Sequence, residues 1–400
     1  MTAFADLIAP HGADNFLRTV WGREMKLFRG ATSRFAHLLP WPTLNGILHR
    51  HRLEAPRLRI AQAGQLVPPD SYGTPPGSGD PYFRIDPHKL NQRLADGATL
   101  VLDGIDELHA PIEQLAADIE HVVRERVQVN CYASFGPQPA FDTHWDDHEV
   151  LVLQVHGRKR WRVFAPTRPH PTRRDTQPPQ QPVDEPVADL ILTPGDVLHV
   201  PRGWWHDATA VDEPSLHLTF GVTPPTGVDL LTWAADQLRH HELARQNLPV
   251  HNDVEAQSQY VKELTALLTE QLDAGTILPR YRAARDAQAP SRAHPSLPWS
   301  ATSGVPDDIE LTIQWRAPRA RLQVHAQAVR LTANGQLYTF ASRATPVLQA
   351  LLDGRARTVS ELVSVPDNTL DRTMTRALCS SLINQGLASA EPEGLHLGDG

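Results

Sequence analysis

The chain has 400 residues, a formal net charge of −8 and a sequence pI near 6.2. That length allows two or three domains, and the acidic balance argues against a general polyanion-binding protein. Two cysteines, Cys131 and Cys379, are too few for a disulfide framework, which suits a reducing cytoplasm. The first 25 residues contain Asp6, Asp14, Arg18, Arg23 and Glu24, unlike a secretory signal. No apolar run approaches the roughly 18 residues of a membrane span, so no membrane partner is expected.

Residues 1–40 read as a helical and mixed lead-in whose apolar part is Phe16-Leu17-Arg18-Thr19-Val20-Trp21. Residues 43–52 suit a helix. Arg57-Leu58-Arg59-Ile60 alternates as a strand does. Residues 67–82 form a Pro/Gly/Ser loop. Helices are expected over 87–97 and 111–125, around a short strand at Thr99-Leu100-Val101-Leu102.

From 126 to 222 the pattern turns all-β. Val127 to Tyr132 alternates over its first half, whereas Val150-Leu151-Val152-Leu153-Gln154-Val155 is nearly continuous, as in a strand buried on both faces. Arg160 to Phe164 alternates again, and 167–186 is a polar, Pro-rich loop. Strands at 190–192, 197–200 and 216–220 are separated by Pro-Gly-Asp and Pro-Arg-Gly turns. Many short strands with such turns predict a sandwich or barrel. Helical spacing returns at 227–247 and 253–273. Residues 288–308 read as a Pro/Ser linker. The stretch 309–400 begins with β-like pieces and ends in helical spacing, in a winged-helix-like arrangement.

The chemistry centres on Phe141-Asp142-Thr143-His144-Trp145-Asp146-Asp147-His148. If this stretch is extended, His144 and Asp146 share a face. Alone, a His-x-Asp pair is more often a polar strand edge. Three features favour a metal site: the placement of His206, the cation Lys159 and the Asn130–Tyr132 pair. His206 follows two tight turns that can return the chain to a barrel mouth. Two His and one carboxylate form the ligand set of non-haem Fe(II) oxygenases. Lys159 starts the strand after the 150–155 run, and a cation inside a barrel needs an anionic partner, which a metal-bound dicarboxylate would supply. Asn130 and Tyr132 lie two apart, so their polar tips share a face and could bond the same acid. His148, His156, His199 and His217 are weaker ligand candidates, and His199 and His217 are expected to make hydrogen bonds within the barrel. Cys131 should face away from the site as a small filler. Trp204 and Trp205 flank His206, so one of them is a candidate for touching substrate.

Residues 130–220 resemble the JmjC-type oxygenases of the ribosomal oxygenase group, within the cupin superfamily. The stretches that carry the resemblance are Asn130-Cys-Tyr132, His144-Trp-Asp146-Asp147, Leu153 to Val163, Pro194-Gly195-Asp196, Pro201-Arg202-Gly203-x-x-His206 and Ser215 to Thr219. The resemblance implies a mainly β double-stranded β-helix, a jelly-roll or cupin barrel with flanking helices. It implies a catalytic domain over 1–222, a helical dimerisation segment over 223–287, the 288–308 linker and a winged-helix-like domain over 309–400. It implies Fe(II) held by His144, Asp146 and His206. It also implies 2-oxoglutarate, with Lys159 on its distal carboxylate and Asn130 and Tyr132 lining its pocket. The implied reaction is hydroxylation of a side chain in a protein or peptide, ribosomal proteins included, by a homodimer, and the cysteine count suits a cytoplasmic location. Trp145, the Trp204-Trp205 pair and the 167–186 loop depart from the family pattern near the substrate mouth. Two other readings stand beside this one: a natural-product or small-molecule hydroxylase with the same cofactors, and a non-catalytic metal-binding cupin. From Arg343 to Gly400 the tail has five Arg, no Lys and seven acidic residues, so no nucleic-acid partner is expected.

Overall fold

The computed structural model describes residues 3–77, 81–172, 181–182, 184–251, 253–273, 275–302, 304–306 and 310–392. The chain divides into two units, Met1–Pro224 and Pro225–Gly400.

In the first unit thirteen strands follow one another. They are β1 (Lys26–Phe28), β2 (Leu58–Gln62), β3 (Gln65–Leu66), β4 (Gly73–Thr74), β5 (Arg84–Ile85), β6 (Thr99–Leu102), β7 (Val127–Ser134), β8 (Glu149–His156), β9 (Lys159–Phe164), β10 (Ala188–Leu192), β11 (Val197–Val200), β12 (Trp205–Ala210) and β13 (Ser215–Val222). Among them run five helices: α1 (Ala3–Leu7), α2 (Ala13–Thr19), α3 (Trp41–Arg50), α4 (Pro87–Ala95) and α5 (Ala110–Val123). An eight-stranded sheet has the order β1-β11-β8-β13-β7-β6-β2-β3, and a three-stranded sheet the order β10-β9-β12. The pairings within both are antiparallel.

Side-chain alternation explains the layers. Val127, Val129, Cys131 and Ala133 of β7 join Leu151, Leu153 and Val155 of β8 in the core under the helices. On the opposite face, Val150 and Val152 of β8 meet Leu198 and Val200 of β11, with Trp161 of β9 and Leu192 of β10 closing the inner core from the smaller sheet. The apolar run of β8 is thus buried on both faces, and each of its aliphatic side chains contributes about 1.5–3 kcal/mol. This is a jelly-roll core, and Cys131 faces the helix side as expected.

Two local differences from the sequence reading bear on the site. Residues 205–210 form a strand that their composition hides, since Asp207, Ala208 and Ala210 are poor strand formers. Pairing with β9 in full register, Trp205 against Phe164 through Ala210 against Lys159, overrides that preference. Conversely, His144 to Asp146 form no regular strand. Only an isolated bridge joins His144 to His206. Within the loop over 167–186, residues 173–180 and 183 lie outside the described residues.

In the second unit the helices are α6 (Gly227–Gln237), α7 (Glu242–Arg245), α8 (Val254–Gln271) and α9 (Ile277–Gln288). Thr226 starts α6 with a reciprocal capping box to Asp229. Beyond them lie β14 (Leu311–Trp315), β15 (Arg321–Val324), β16 (Ala328–Ala333), β17 (Gln336–Ala341), α10 (Thr345–Leu351), β18 (Arg357–Thr358), α11 (Val359–Val363), α12 (Arg372–Asn384) and β19 (Ala388–Pro392). They form two three-stranded sheets, β18-β14-β19 and β15-β16-β17. Their core includes Leu311, Ile313, Val329, Leu331, Val347, Leu348 and Leu382. In the 288–308 stretch, Val305 is buried in this core and Ser296 Oγ accepts the Ala390 amide at 2.9 Å. Among the described residues no helix is long and apolar enough to cross a membrane.

Candidate active site

His144, Asp146 and His206 come together, each offering one ligand atom, with these atoms within 4.8 Å of one another. Asp146 Oδ2 lies 3.6 Å from His206 Nε2. They arrive from two chain segments. His206 is on β12, and the loop bearing His144 and Asp146 is laid against it. The His144 amide donates to the His206 carbonyl at 3.1 Å and the His206 amide donates back at 2.7 Å. The Gly203 amide donates to the Asp146 carbonyl at 2.9 Å. The loop therefore obtains its geometry from the strand opposite it.

Each imidazole is oriented by its own local bond. His144 Nδ1 lies 2.8 Å from the Asp142 carbonyl, and His206 Nδ1 lies 3.2 Å from the Trp204 carbonyl. A carbonyl can only accept, so Nδ1 carries the proton in both rings. That leaves both Nε2 lone pairs for a metal. Burial lowers the proton affinity of His206, Asp146 opposes this, and the neighbouring His144 reinforces it. A neutral imidazole is the form that binds a cation. Two neutral imidazoles and one carboxylate suit a divalent ion of the Fe(II) class and leave coordination positions open.

Beside these residues lies a group of buried polar side chains, Lys159, Ser134, Thr99 and His217. Lys159 is only 2% exposed. Its Nζ donates to Ser134 Oγ at 2.9 Å and lies 3.4 Å from His217 Nδ1. Ser134 Oγ is in turn 2.8 Å from Thr99 Oγ1. Among the described residues no carboxylate forms an ion pair with Lys159. Burial without such a partner pulls its pKa down to about 7. Burial, and then the Lys159 charge, hold His217 well below the usual histidine range. The Tyr132 ring stacks on His217, with centroids 4.8 Å apart and planes 2° from parallel. Burial and then Asp146 raise the Tyr132 phenol above its ordinary range. Trp161 stacks on His206 and meets His217 edge-on. Its indole nitrogen has no hydrogen-bond partner among the described residues.

Asn130 shares the inner face of β7 with Tyr132, but its Oδ1 accepts the Gly104 amide at 3.1 Å, which braces the loop after β6. The other histidines fall outside the cluster. His156 Nε2 bonds the Leu39 carbonyl at 3.0 Å, and His148 Nδ1 lies 3.2 Å from Asp147 Oδ1. His199 corrects an expectation. It makes hydrogen bonds, to the Glu24 carbonyl and to Glu149, but on the helix side of the sheet, against Phe16 and Trp21. The alternation of β11 turns Leu198 and Val200 inward and His199 out. Trp205 is buried and donates to Thr167 Oγ1 at 3.0 Å. Sequence reasoning missed Ser134, Thr99 and Trp161. Only their inward phase on strands adjoining Lys159 and Tyr132 could have signalled them.

Comparison with known proteins agrees with this geometry. Residues 107–230 match the family model described as a JmjC domain. The chain is similar to the bifunctional lysine-specific demethylase and histidyl-hydroxylase NO66 of Drosophila persimilis. They are 29% identical over 222 residues, which cover 54% of this chain and 31% of that protein. It is also similar to human ribosomal oxygenase 1, at 30% identity over 227 residues, 54% of this chain and 33% of that one. The chain thus spans about a third of the length of these curated relatives. Among solved structures it is similar to the Escherichia coli ribosomal oxygenase YcfD, with a TM-score of 0.61 and 19% identity over 94% of this chain and 98% of that one. A second structure of YcfD, in complex with cobalt and 2-oxoglutarate, gives a TM-score of 0.57 at 18% identity over 95% and 98% of the two chains. Residues 107–230 thus match a JmjC domain, and the chain shares the fold of the YcfD structures.

Proposed function

We propose that the protein is an Fe(II)- and 2-oxoglutarate-dependent dioxygenase that hydroxylates a side chain of a protein substrate, with ribosomal proteins the first class to test. The observation that carries this reading is the pairing of two features in one barrel. A His-Asp-His cluster presents Nε2 atoms, and the buried Lys159 beside it has no carboxylate ion-pair partner among the described residues. Curated relatives named as a histidyl-hydroxylase and a ribosomal oxygenase support the protein substrate.

His144, Asp146 and His206 would hold the metal. Lys159 would bind the distal carboxylate of 2-oxoglutarate, with Ser134 holding the ammonium in place. When bound, the metal and keto acid supply O2 activation, in which the acid is oxidised to succinate and CO2 and one oxygen atom passes to the substrate C–H. Tyr132 would line the co-substrate pocket with a protonated phenol that can donate a hydrogen bond, and Asn130 would support it from the same strand face. Trp161 would shield the space between His206 and His217 from water.

Residues 223–287 act in this proposal as a dimerisation segment and 309–400 as a winged-helix-like domain used for protein contact. Exposed Val254, Val261 and Leu231 on α8 and α6 support the former. Mass spectrometry of ribosomal proteins from cells with and without the gene tests the substrate class. A gain of one oxygen atom on a ribosomal peptide, present only with the gene, is expected. Identical spectra would contradict a ribosomal substrate.

A further inference from the structure

Behind the ligand row lies a second row that the chemistry above does not use. The bridge pairs His144 with His206, so the residues flanking it, Thr143 and Asp207, stand opposite each other with their side chains on the other face. Thr143 Oγ1 donates to Asp207 Oδ2 at 2.9 Å. Asp207 is itself paired across the sheet with Arg162 of β9, which grips it through Nε at 3.0 Å and Nη2 at 2.8 Å. Arg162 is in register with Asp189 of β10, and Asp189 is held by Arg160 through Nε at 2.7 Å. One polar row thus crosses the whole smaller sheet and ends on the irregular loop that carries His144.

We infer that Thr143, Asp207 and Arg162 form a positioning clamp that sets His144 for metal binding. The inference rests on His144, Asp146 and His206 being the metal ligands. The physical need is plain: a metal ligand must be held within about 0.5 Å, and loops do this less well than strands. The two backbone hydrogen bonds of the bridge and the Gly203–Asp146 bond hold the loop's backbone on the ligand side, and none of them braces its reverse face. The side-chain bond on the reverse face supplies that brace. Arg162 keeps the Asp207 carboxylate from turning away.

Co(II) titration of the metal-free full chain tests this, with the metal alone as probe and the melting point of each metal-free variant measured beside it. Thr143→Val keeps the shape and removes only the hydroxyl. It should weaken Co(II) binding about tenfold or more, the scale on which outer support of a metal ligand acts. Its metal-free melting point should stay close to the parent's. Thr143→Ser restores the hydroxyl and should restore the affinity and the Co(II) absorption spectrum. If Thr143→Val does not fold, Thr143→Ala carries the same comparison. Parental affinity in the hydroxyl-free variant, or a serine variant as weak as it, overturns the clamp. A parent chain that binds no Co(II), or whose binding survives Asp146→Ala, overturns the ligand assignment itself, and with it the clamp.

Discussion

At Lys159 an ammonium group is kept from water with Ser134 Oγ and His217 Nδ1 beside it and no acid within ion-pair distance among the described residues. A group left in that state is costly unless something else completes it. If 2-oxoglutarate does so, Lys159→Ala leaves the distal carboxylate buried and alone. Breaking such a pair costs about 3–5 kcal/mol, so affinity for 2-oxoglutarate should fall at least about a hundredfold. Divalent-metal affinity should survive, because the three ligands are untouched. Separate titrations of metal and acid check both halves, and parental 2-oxoglutarate affinity in the variant would remove Lys159 from the pocket.

The same residue sets a pH dependence. Burial brings Lys159 down to about 7 in the empty protein, so it is charged below that pH and mostly neutral above it. A carboxylate pairs only with the charged form. Binding above about pH 7 must therefore take up a proton, and affinity should fall as pH rises, by up to about tenfold per unit. Lys159→Arg stays charged throughout and should flatten the curve, though its fork fits the pocket less well. Calorimetric titration between about pH 6 and about pH 9 reads the slope. A flat parental curve would mean that Lys159 is already charged when empty.

At the scale of elements, most of the barrel was legible. The apolar run of β8 and the alternation of β7 and β9 gave both faces of each strand, because burial on a pleated sheet writes itself in a period of two. The same period put Asn130 and Tyr132 on one face, whereas His206 was a candidate from the two turns before it and Lys159 from a cation at the start of a barrel strand. The β12 strand was not legible, because its partners rather than its residues make it a strand. The loop at 144–146 was read as extended, and only the bridge to His206 is. The clamp behind it joins residues 45 and 64 positions apart, which no local pattern reveals. Lys159 itself depends on the β8–β9 turn. Gly157 there has φ of 62°, and an added Cβ would meet the Pro214 carbonyl oxygen at 2.0 Å. Gly157→Ala should cost at least about 1–3 kcal/mol, measured by chemical denaturation. An unchanged midpoint would show that the turn can shift without strain.

At the scale of the whole molecule, α6 and α8 expose Leu231 at 51% and Val254 at 81%, among others, while the second unit keeps its own core elsewhere. An isologous two-fold interface would cover such stripes. Light scattering at micromolar concentration should give a dimer, and a folded monomer would reject the proposal. The tail has no cationic excess, so duplex DNA binding that weakens steeply with salt should be absent, and affinity tighter than about micromolar at physiological salt would contradict the charge argument.

In the proposed function the barrel oxidises 2-oxoglutarate and is not a passive metal-binding shell. Conversion of 2-oxoglutarate to succinate by the full chain, with Fe(II) and O2 and a ribosomal protein extract, tests it most directly. Succinate should form in step with O2 consumption in the parent and stop in Asp146→Ala, which lacks the only anionic ligand. A parent that binds both Fe(II) and 2-oxoglutarate yet releases no succinate, or an Asp146→Ala variant that releases as much, would contradict it.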